Sequence, residues 1–130
     1  MPDNKAIVRD YLDRVWNQHD YTAIDDNIKL DFIQHSPNAP SGREGMRLFF
    51  RLANNAFSEL KFTVEDMITE GDRVVWRWTL RGKHTGVFLG VPPTGRDFAI
   101  SGISILRLEE GEFAELWAEP DMAGLMAQLK

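Results

Sequence analysis

The hydrophobic period of this chain changes near its middle, and that change limits the folds open to it. Before Phe57, apolar residues recur at helical spacing, as from Asn4 to Asn17 and from Gly42 to Phe57. From Leu60 onward they alternate with polar residues, which is the pattern of strands that bury one face. Helices followed by a run of long antiparallel strands favour an α+β fold over a parallel α/β sheet.

Three helices are expected in the first half and a short one at the C-terminus. Asp3 or Asn4 is placed to cap the first helix. A second, shorter helix is expected from Tyr21 to Leu30, followed by a loop with two prolines from Asp31 to Gly42. The segment from Met122 to Leu129 has the spacing of a helix that packs back on the core.

Two hairpins are expected in the second half. The first spans Leu60 to Leu80 and turns at Glu70-Gly71-Asp72. The second joins a strand from Phe98 to Leu108 to a strand from Glu112 to Glu119. A glycine- and proline-rich segment from Gly82 to Gly95 separates the two hairpins.

The register of the second hairpin stays open at this point. A two-residue turn at Glu110-Gly111 and a three-residue bulged turn that starts at Glu109 place opposite faces of the preceding strand beside Trp117. The pair that faces the interior is then either Ser101 with Ile103 or Gly102 with Ser104.

Composition excludes several classes of protein. The chain has 130 residues, which fits a single domain over residues 1–130, and it has no cysteine for a disulfide, a thiolate zinc site or a thiol nucleophile. Its net charge of -5 is spread over interspersed charges, which disfavours nucleic acid as a partner. The charged N-terminal segment is unlike a signal peptide, and no window is apolar enough to span a membrane, so a cytoplasmic location is expected. The three histidines lie far apart in sequence, so no metal site is expected.

Asp121 is the first candidate for chemistry. Period two places it on one strand face with Trp117 and Glu119, and the large apolar Trp117 favours an inward orientation of that face. A carboxylate held against aromatic rings can serve as a general base. Asp121 also precedes the C-terminal helix, so a role as its N-cap is the alternative.

Two histidines are further candidates. His35 follows Phe32 in a predicted loop, and its imidazole could point into the interior or into solvent. His84 lies between two glycines after the first hairpin, and could present its ring at the rim of a pocket or hydrogen-bond locally in a turn.

Large aromatic residues are the candidate walls of a ligand pocket. They are Trp76, Trp78, Trp117, Phe32, Phe49 and Phe88, and an ordinary core would also account for most of them. The other face of the Trp76 strand also carries side chains that could pack against another surface, namely Val75, Arg77 and Thr79. A second copy packed on that face would explain them and predicts a homodimer.

The segment from His84 to Arg96 (HTGVFLGVPPTGR) resembles the signature loop of the SnoaL-like polyketide cyclase (ester cyclase) family, within the nuclear transport factor 2-like superfamily. The similarity extends over nearly the whole chain. It includes Val15-Trp16-Asn17, Asp31-Phe32 with His35, Gly71-Asp72-Arg73, Gly102-Ile103-Ser104-Ile105, Trp117 and Asp121.

This resemblance implies a cystatin-like cone, in which a curved antiparallel or mixed sheet is closed by the N-terminal helices around an apolar cavity. In the family, an aspartate at the end of the last strand removes a proton from the substrate, and the enolate closes a ring by intramolecular aldol attack without a cofactor. Asp121 occupies the matching place. His35 and His84 would hydrogen-bond the reacting oxygens. The alternative is a binding module that holds an apolar metabolite without converting it.

Overall fold

The computed structural model describes residues 3–36 and 39–130, and these ranges contain four α-helices and one five-stranded sheet. The helices are α1 (Asn4–Leu12), α2 (Thr22–Asn27), α3 (Arg43–Ala56) and α4 (Met122–Gln128), and a π-helical turn (Asp13–Asn17) continues α1. The strands are β1 (Ile28–His35), β2 (Phe57–Glu70), β3 (Arg73–His84), β4 (Asp97–Glu109) and β5 (Glu112–Pro120). They lie in the order β1-β5-β4-β3-β2, with β1 parallel to β5 and the other pairs antiparallel. The predicted α+β fold with a mixed sheet is therefore confirmed.

The N-terminal helical segment is capped at its start and tied to strand β2 at its end. The carboxylate of Asp3 accepts a hydrogen bond of 2.7 Å from the backbone N–H of Ala6, which confirms the predicted cap. At the other end, the side-chain amide of Asn17 donates to the carbonyl of Phe62 and its oxygen accepts from the Phe62 N–H. The buried face between these points carries Tyr11 and Val15 toward the sheet.

The prediction that Tyr21 to Leu30 is helical throughout and that Asp31 to Gly42 is a loop is wrong in part. Helix α2 ends at Asn27, and Ile28–His35 forms the edge strand β1. The pairing register of β1 shifts between Ile28 and Ile33, so its buried and exposed residues do not alternate regularly. Its partner β5 is about 80 residues away in sequence. Such non-local pairing is invisible to a period count. Residues 37 and 38 of the predicted loop lie outside the described residues.

Of the two turns considered for the second hairpin, the structure has the two-residue turn. Glu109 pairs with Glu112, and Glu110 and Gly111 both have positive φ, at 50° and 82°. This is the twist that suits a tight hairpin. Gly102 and Ser104 therefore face the interior, and Ser101 and Ile103 face outward, as their burial shows.

A β-bulge reverses the expected faces of β5. Leu108 pairs with Phe113 but Arg107 pairs with Glu115, which leaves Ala114 as an extra residue. Phe113 and Ala114 are consecutive and both buried. Beyond the bulge, the side chains that face the interior are those of Leu116, Ala118 and Pro120. The expectation that Trp117 and Glu119 look inward is therefore wrong, because the bulge shifts the alternation by one residue.

Candidate active site

The helices and the interior face of the sheet enclose a cavity of about 310 Å³. This volume lies at the lower end of the range of small-molecule pockets, roughly 300–1,000 Å³. Most of the residues that line it are apolar or aromatic, and they come from α1, α3, α4 and all five strands.

Three stacked rings make one wall of the cavity. The ring of Trp16 stacks on Phe62 with centroids 5.3 Å apart, and Phe62 stacks on Trp78 at 5.4 Å. Gly102 lies opposite Trp78 on the next strand, and a Cβ there would overlap the indole. The indole N–H donates to the hydroxyl of Ser104 at 3.0 Å. Trp78 is thus held flat over Gly102 by packing on one side and by a buried hydrogen bond.

Four polar atoms that belong to cavity-lining residues have no hydrogen-bond partner within residues 3–36 and 39–130. We call these the unsatisfied polar atoms; they are Tyr11 Oη, Gln34 Oε1, Ser36 Oγ and Trp76 Nε1. A buried polar group left without a partner costs roughly 1–3 kcal/mol. Burial also raises the pKa of the Tyr11 hydroxyl, which keeps its proton available for donation. These atoms therefore favour a bound molecule that supplies the missing partners.

Sequence reasoning missed most of this polar set. Gln34 is two residues after buried Phe32, so recognition of β1 as a strand would have placed both on one face. Trp76 was expected only as an apolar wall, and the sequence held no comparable signal for Tyr11.

Five of the six predicted wall residues line the cavity, namely Trp76, Trp78, Phe32, Phe49 and Phe88. The sixth, Trp117, lies on the outer face of the sheet. There its ring stacks on His35 at a centroid distance of 5.2 Å, and the guanidinium of Arg73 lies 5.3 Å from the ring centroid.

The imidazole of His35 also lies on the outer face. Phe32 and Gln34 face the interior, so the next residue along β1 points the other way. Its Nε2 is 2.7 Å from a carboxylate oxygen of Glu115, and this hydrogen bond holds the pKa of Glu115 below its usual value. The expectation that His35 points into the cavity is therefore wrong, and its part in the chemistry stays a prediction without geometric support.

His84 is completely buried at the end of β3. Its Nδ1 accepts a hydrogen bond of 3.3 Å from the backbone N–H of Thr94, which can only donate, so a neutral ring carries its proton on Nε2. The backbone of His84 also pairs with Gly95 and Arg96. His84 thus fastens the end of segment 85–96 to β3, while its ring packs beside Phe57 rather than lining the cavity.

The segment fastened by His84 carries the rim of the cavity. Phe88 and Val91 close a tight turn through two backbone hydrogen bonds of 3.0 and 2.8 Å. Val87 and Leu89 line the cavity yet are 64% and 55% exposed, and Leu52 on α3 is 51% exposed. Side chains that are both lining and exposed mark the mouth of the cavity, which is apolar.

Asp121 lies in sequence between two residues that line the cavity, Pro120 and Met122. Its Oδ1 accepts a hydrogen bond of 2.8 Å from the N–H of Gly124, which confirms the alternative role as the N-cap of α4. Its Oδ2 makes no hydrogen bond to any described residue, and the residue is exposed. Asp121 does not itself line the cavity, so the expectation that its carboxylate faces inward against aromatic rings is wrong. One carboxylate oxygen is free beside two lining residues, and its catalytic role stays a prediction.

Within the parts of the chain that the structure describes, no three histidine, aspartate or glutamate side chains form a group suited to a metal ion. In the same ranges, no helix has the length and apolar character needed to cross a membrane. The expectations of a cofactor-free protein and of a cytoplasmic location stay predictions.

The chain is similar to known proteins over nearly its full length. The family model for SnoaL-like polyketide cyclases matches residues 6–129. The nogalonic acid methyl ester cyclase of Streptomyces nogalater is 28% identical over 82% of this chain and 82% of its own. The aklanonic acid methyl ester cyclase DnrD of Streptomyces peucetius is 31% identical over 75% of this chain and 67% of its own.

The fold is also similar to that of a solved structure. TsrD from Streptomyces laurentii superposes with a TM-score of 0.87 and 32% identity, over 99% of this chain and 98% of that one. The resemblance drawn from the signature loop is confirmed by the family model and by the two cyclases. The chain belongs to the SnoaL-like polyketide cyclase family.

Proposed function

We propose that this protein is a cofactor-independent enzyme that closes a ring in a largely apolar, polyketide-derived substrate. The observation that carries the proposal is the apolar cavity with its four unsatisfied polar atoms, in a chain of this family. The names of two relatives, both methyl ester cyclases, support a polyketide methyl ester as the substrate class.

The proposed reaction is an intramolecular aldol addition. A base takes a proton from the carbon beside a carbonyl group, the resulting enolate carbon bonds to a second carbonyl carbon, and the proton passes to the new alkoxide oxygen. We assign the base to Asp121, because its Oδ2 is free and both of its neighbours in the chain line the cavity. The Tyr11 hydroxyl and the Trp76 N–H are assigned to the developing negative charge, since both can donate from a buried position.

In this scheme His84 is a positioning residue. It anchors segment 85–96 through Thr94 and through backbone hydrogen bonds, and that segment supplies Phe88 to the cavity wall and Leu89 to its mouth. Its contribution is to hold the mouth in shape around the substrate.

An assay with nogalonic acid methyl ester tests the proposal. Aldol addition rearranges atoms without gain or loss, so we expect a product of unchanged mass and altered retention in liquid chromatography–mass spectrometry. Turnover should persist with a chelator present. A protein that retains the ester in native mass spectrometry without converting it would instead be a binding module, and the proposed enzyme would be ruled out.

We further propose that two copies of the chain associate through the outer face of the sheet. One row of paired residues crosses all five strands on that face: Ile68, Val75, Ile105, Trp117 and His35. Ile68 is 63% exposed and Ile103, in the adjacent row, is 52% exposed. Four of the five residues in this row are apolar, and an apolar row on an outward face favours contact with another protein surface.

Charges beside this row indicate how the second copy would be oriented. Arg77 and Glu119 lie on either side of Ile103 in one row, and neither forms a salt bridge with any described residue. A two-fold axis along β4 would bring Arg77 of each copy to Glu119 of the other. The same axis packs Ile103 against its own counterpart, so the face is complementary to itself.

Charge reversal tests this dimer. Arg77→Glu alone and Glu119→Arg alone should each give monomers, because each then opposes like charges across the axis. An equimolar mixture of the two variants should restore a heterodimer in size-exclusion chromatography with light scattering. Arg51→Glu, on the exposed part of α3, is the control and should stay dimeric. A monomeric wild type, or single variants that stay dimeric, would contradict the arrangement.

A further inference from the structure

Gly124 is the third residue of α4, and its backbone does not explain why this residue is glycine. The backbone there is helical, and φ lies outside the left-handed region that favours glycine. Glycine also stabilises a helix less than alanine does, because it loses more conformational freedom on folding. A glycine at this position therefore calls for another reason.

The carboxyl group of Asp121 fills the space that a side chain at position 124 would need. A Cβ added to Gly124 would overlap it, and the three nearest atoms would be Oδ2, Cγ and Oδ1 of Asp121. Oδ1 is the atom that accepts the 2.8 Å hydrogen bond from the Gly124 N–H, and Oδ2 is the free oxygen. The missing Cβ therefore makes room for the free oxygen in this orientation.

The first helix of the chain shows that capping alone does not require this glycine. Asp3 caps α1 in the same way, since its Oδ1 accepts a 2.7 Å hydrogen bond from the N–H of Ala6, three residues later. Ala6 has a Cβ, and the backbone of Asp3 is extended, with ψ at 164°. At Asp121 ψ is 78°, so its carboxyl group stands differently to the helix that follows. Gly124 thus serves one particular orientation of the Asp121 carboxylate rather than the cap itself.

The side-chain amide of Gln128 ties the same turn of α4 to the sheet. Its Nε2 donates to the carbonyl of Gly124 at 3.1 Å and to that of Ala99 on β4 at 3.0 Å. Its Oε1 accepts from the Ala99 N–H at 2.9 Å. The backbone N–H of Asp121 donates to the carbonyl of Ser101, which is also on β4. These hydrogen bonds hold both ends of α4 on β4, a strand that lines the cavity.

We propose that Gly124 and Gln128 are positioning residues for ring closure, Gly124 by leaving room for the Asp121 carboxylate and Gln128 by fixing α4 to β4. The inference rests on the proposed function, because it takes Asp121 as the base. A base must lie within hydrogen-bond distance of the proton that it removes, so a small displacement of the carboxylate lowers the rate. Neither Gly124 nor Gln128 lines the cavity, so both act on the reaction through Asp121 and α4.

Gly124→Ala tests the proposal, because the new methyl group must displace the carboxylate. With nogalonic acid methyl ester, kcat should fall about tenfold or more while KM stays within about twofold of the wild-type value, as a misplaced catalytic group would give. The melting temperature should stay within about 3 °C, because alanine favours the helix while the weakened cap disfavours it. A purely structural role would not lower kcat at unchanged stability.

Asp121→Ala supplies the matched background, because it removes the carboxyl group that the new Cβ would overlap. In that background Gly124→Ala should raise the melting temperature by about 2–4 °C, since only the helix propensity changes. An equal rise in both backgrounds, or a wild-type kcat in Gly124→Ala, would overturn the inference. If Gly124→Ala does not fold, Gln128→Ala takes its place. It should lower kcat and also raise KM, because Met122 and Leu125 on α4 line the cavity, and unchanged kinetics would overturn the inference.

Failure of the proposed function would look different. If the wild type converts no ester, or if Asp121→Asn converts it at the wild-type rate, Asp121 is not the base of this reaction, whatever Gly124→Ala does. If Asp121→Asn is slow and Gly124→Ala is not, the proposed function stands and only the inference is overturned.

Discussion

Replacement of Asp121 by asparagine is expected to lower the rate of ring closure by about 100-fold to 10,000-fold, the range in which general bases contribute. Asparagine has nearly the size of aspartate and caps helices equally well, so the hydrogen bond to the Gly124 N–H should survive. The amide cannot take a proton from carbon. The variant should therefore keep its melting temperature and its ligand affinity while the rate falls.

A second substitution separates the two roles of Asp121. Asp121→Ala removes both the base and the cap of α4, and should add a loss of about 1 kcal/mol in stability to the loss of rate. The measurements are single-turnover kinetics with the methyl ester and thermal unfolding. If Asp121→Asn turns over at the wild-type rate, the carboxylate only caps the helix and the base must be sought elsewhere.

Gly102→Ala should destabilise the protein by about 2–3 kcal/mol, as overpacking of a filled core does. A Cβ at this position would overlap the Trp78 indole, which is buried and tied to Ser104 by its N–H. The displaced ring would press on Phe62, which stacks on it and also lines the cavity, so ligand affinity should fall together with the free energy of unfolding. Urea unfolding and native mass spectrometry with nogalonic acid methyl ester measure the two effects.

The neighbouring outward residue supplies the control for this substitution. Ser101→Ala changes an exposed side chain on the same strand and should alter stability by no more than about 0.5 kcal/mol. In a Trp78→Leu background, Gly102→Ala should cost much less, because the overlapping ring is gone. Additive costs in the double variant would contradict the overlap as the cause.

Local pattern was enough to predict most of the fold. The two hairpins and the helices α1 and α3 follow from spacing and turn residues that act over a few positions. Strand β1 was not predicted, because its irregular start hides the alternation of buried and exposed residues. Its partner strand β5 also lies far along the chain. The length of the turn between β4 and β5 could not be predicted. Glu110 has a positive φ in this turn, which a glutamate in the sequence does not indicate.

The candidate site was less predictable than the fold. The aromatic walls of β3 were found because Val74, Trp76, Trp78 and Leu80 recur at every second position. Trp117 was assigned to the wrong face, because size alone does not reveal a bulge upstream of it. The hydrogen-bonding state of Tyr11, Gln34 and Ser36 depends on what surrounds them in three dimensions, which no spacing rule encodes.

The extra residue in β5 decides which side chains of that strand reach the cavity. In a strand that alternated strictly from Phe113 with no residue left over, Glu115 and Glu119 would share its inward face and Leu116 would lie outside. Because Ala114 occupies one position without a partner on β4, the order is reversed and the cavity keeps an apolar wall. Loss of the single codon for Ala114 would remove the bulge yet leave every later side chain on its present face, so both carboxylates would stay outside.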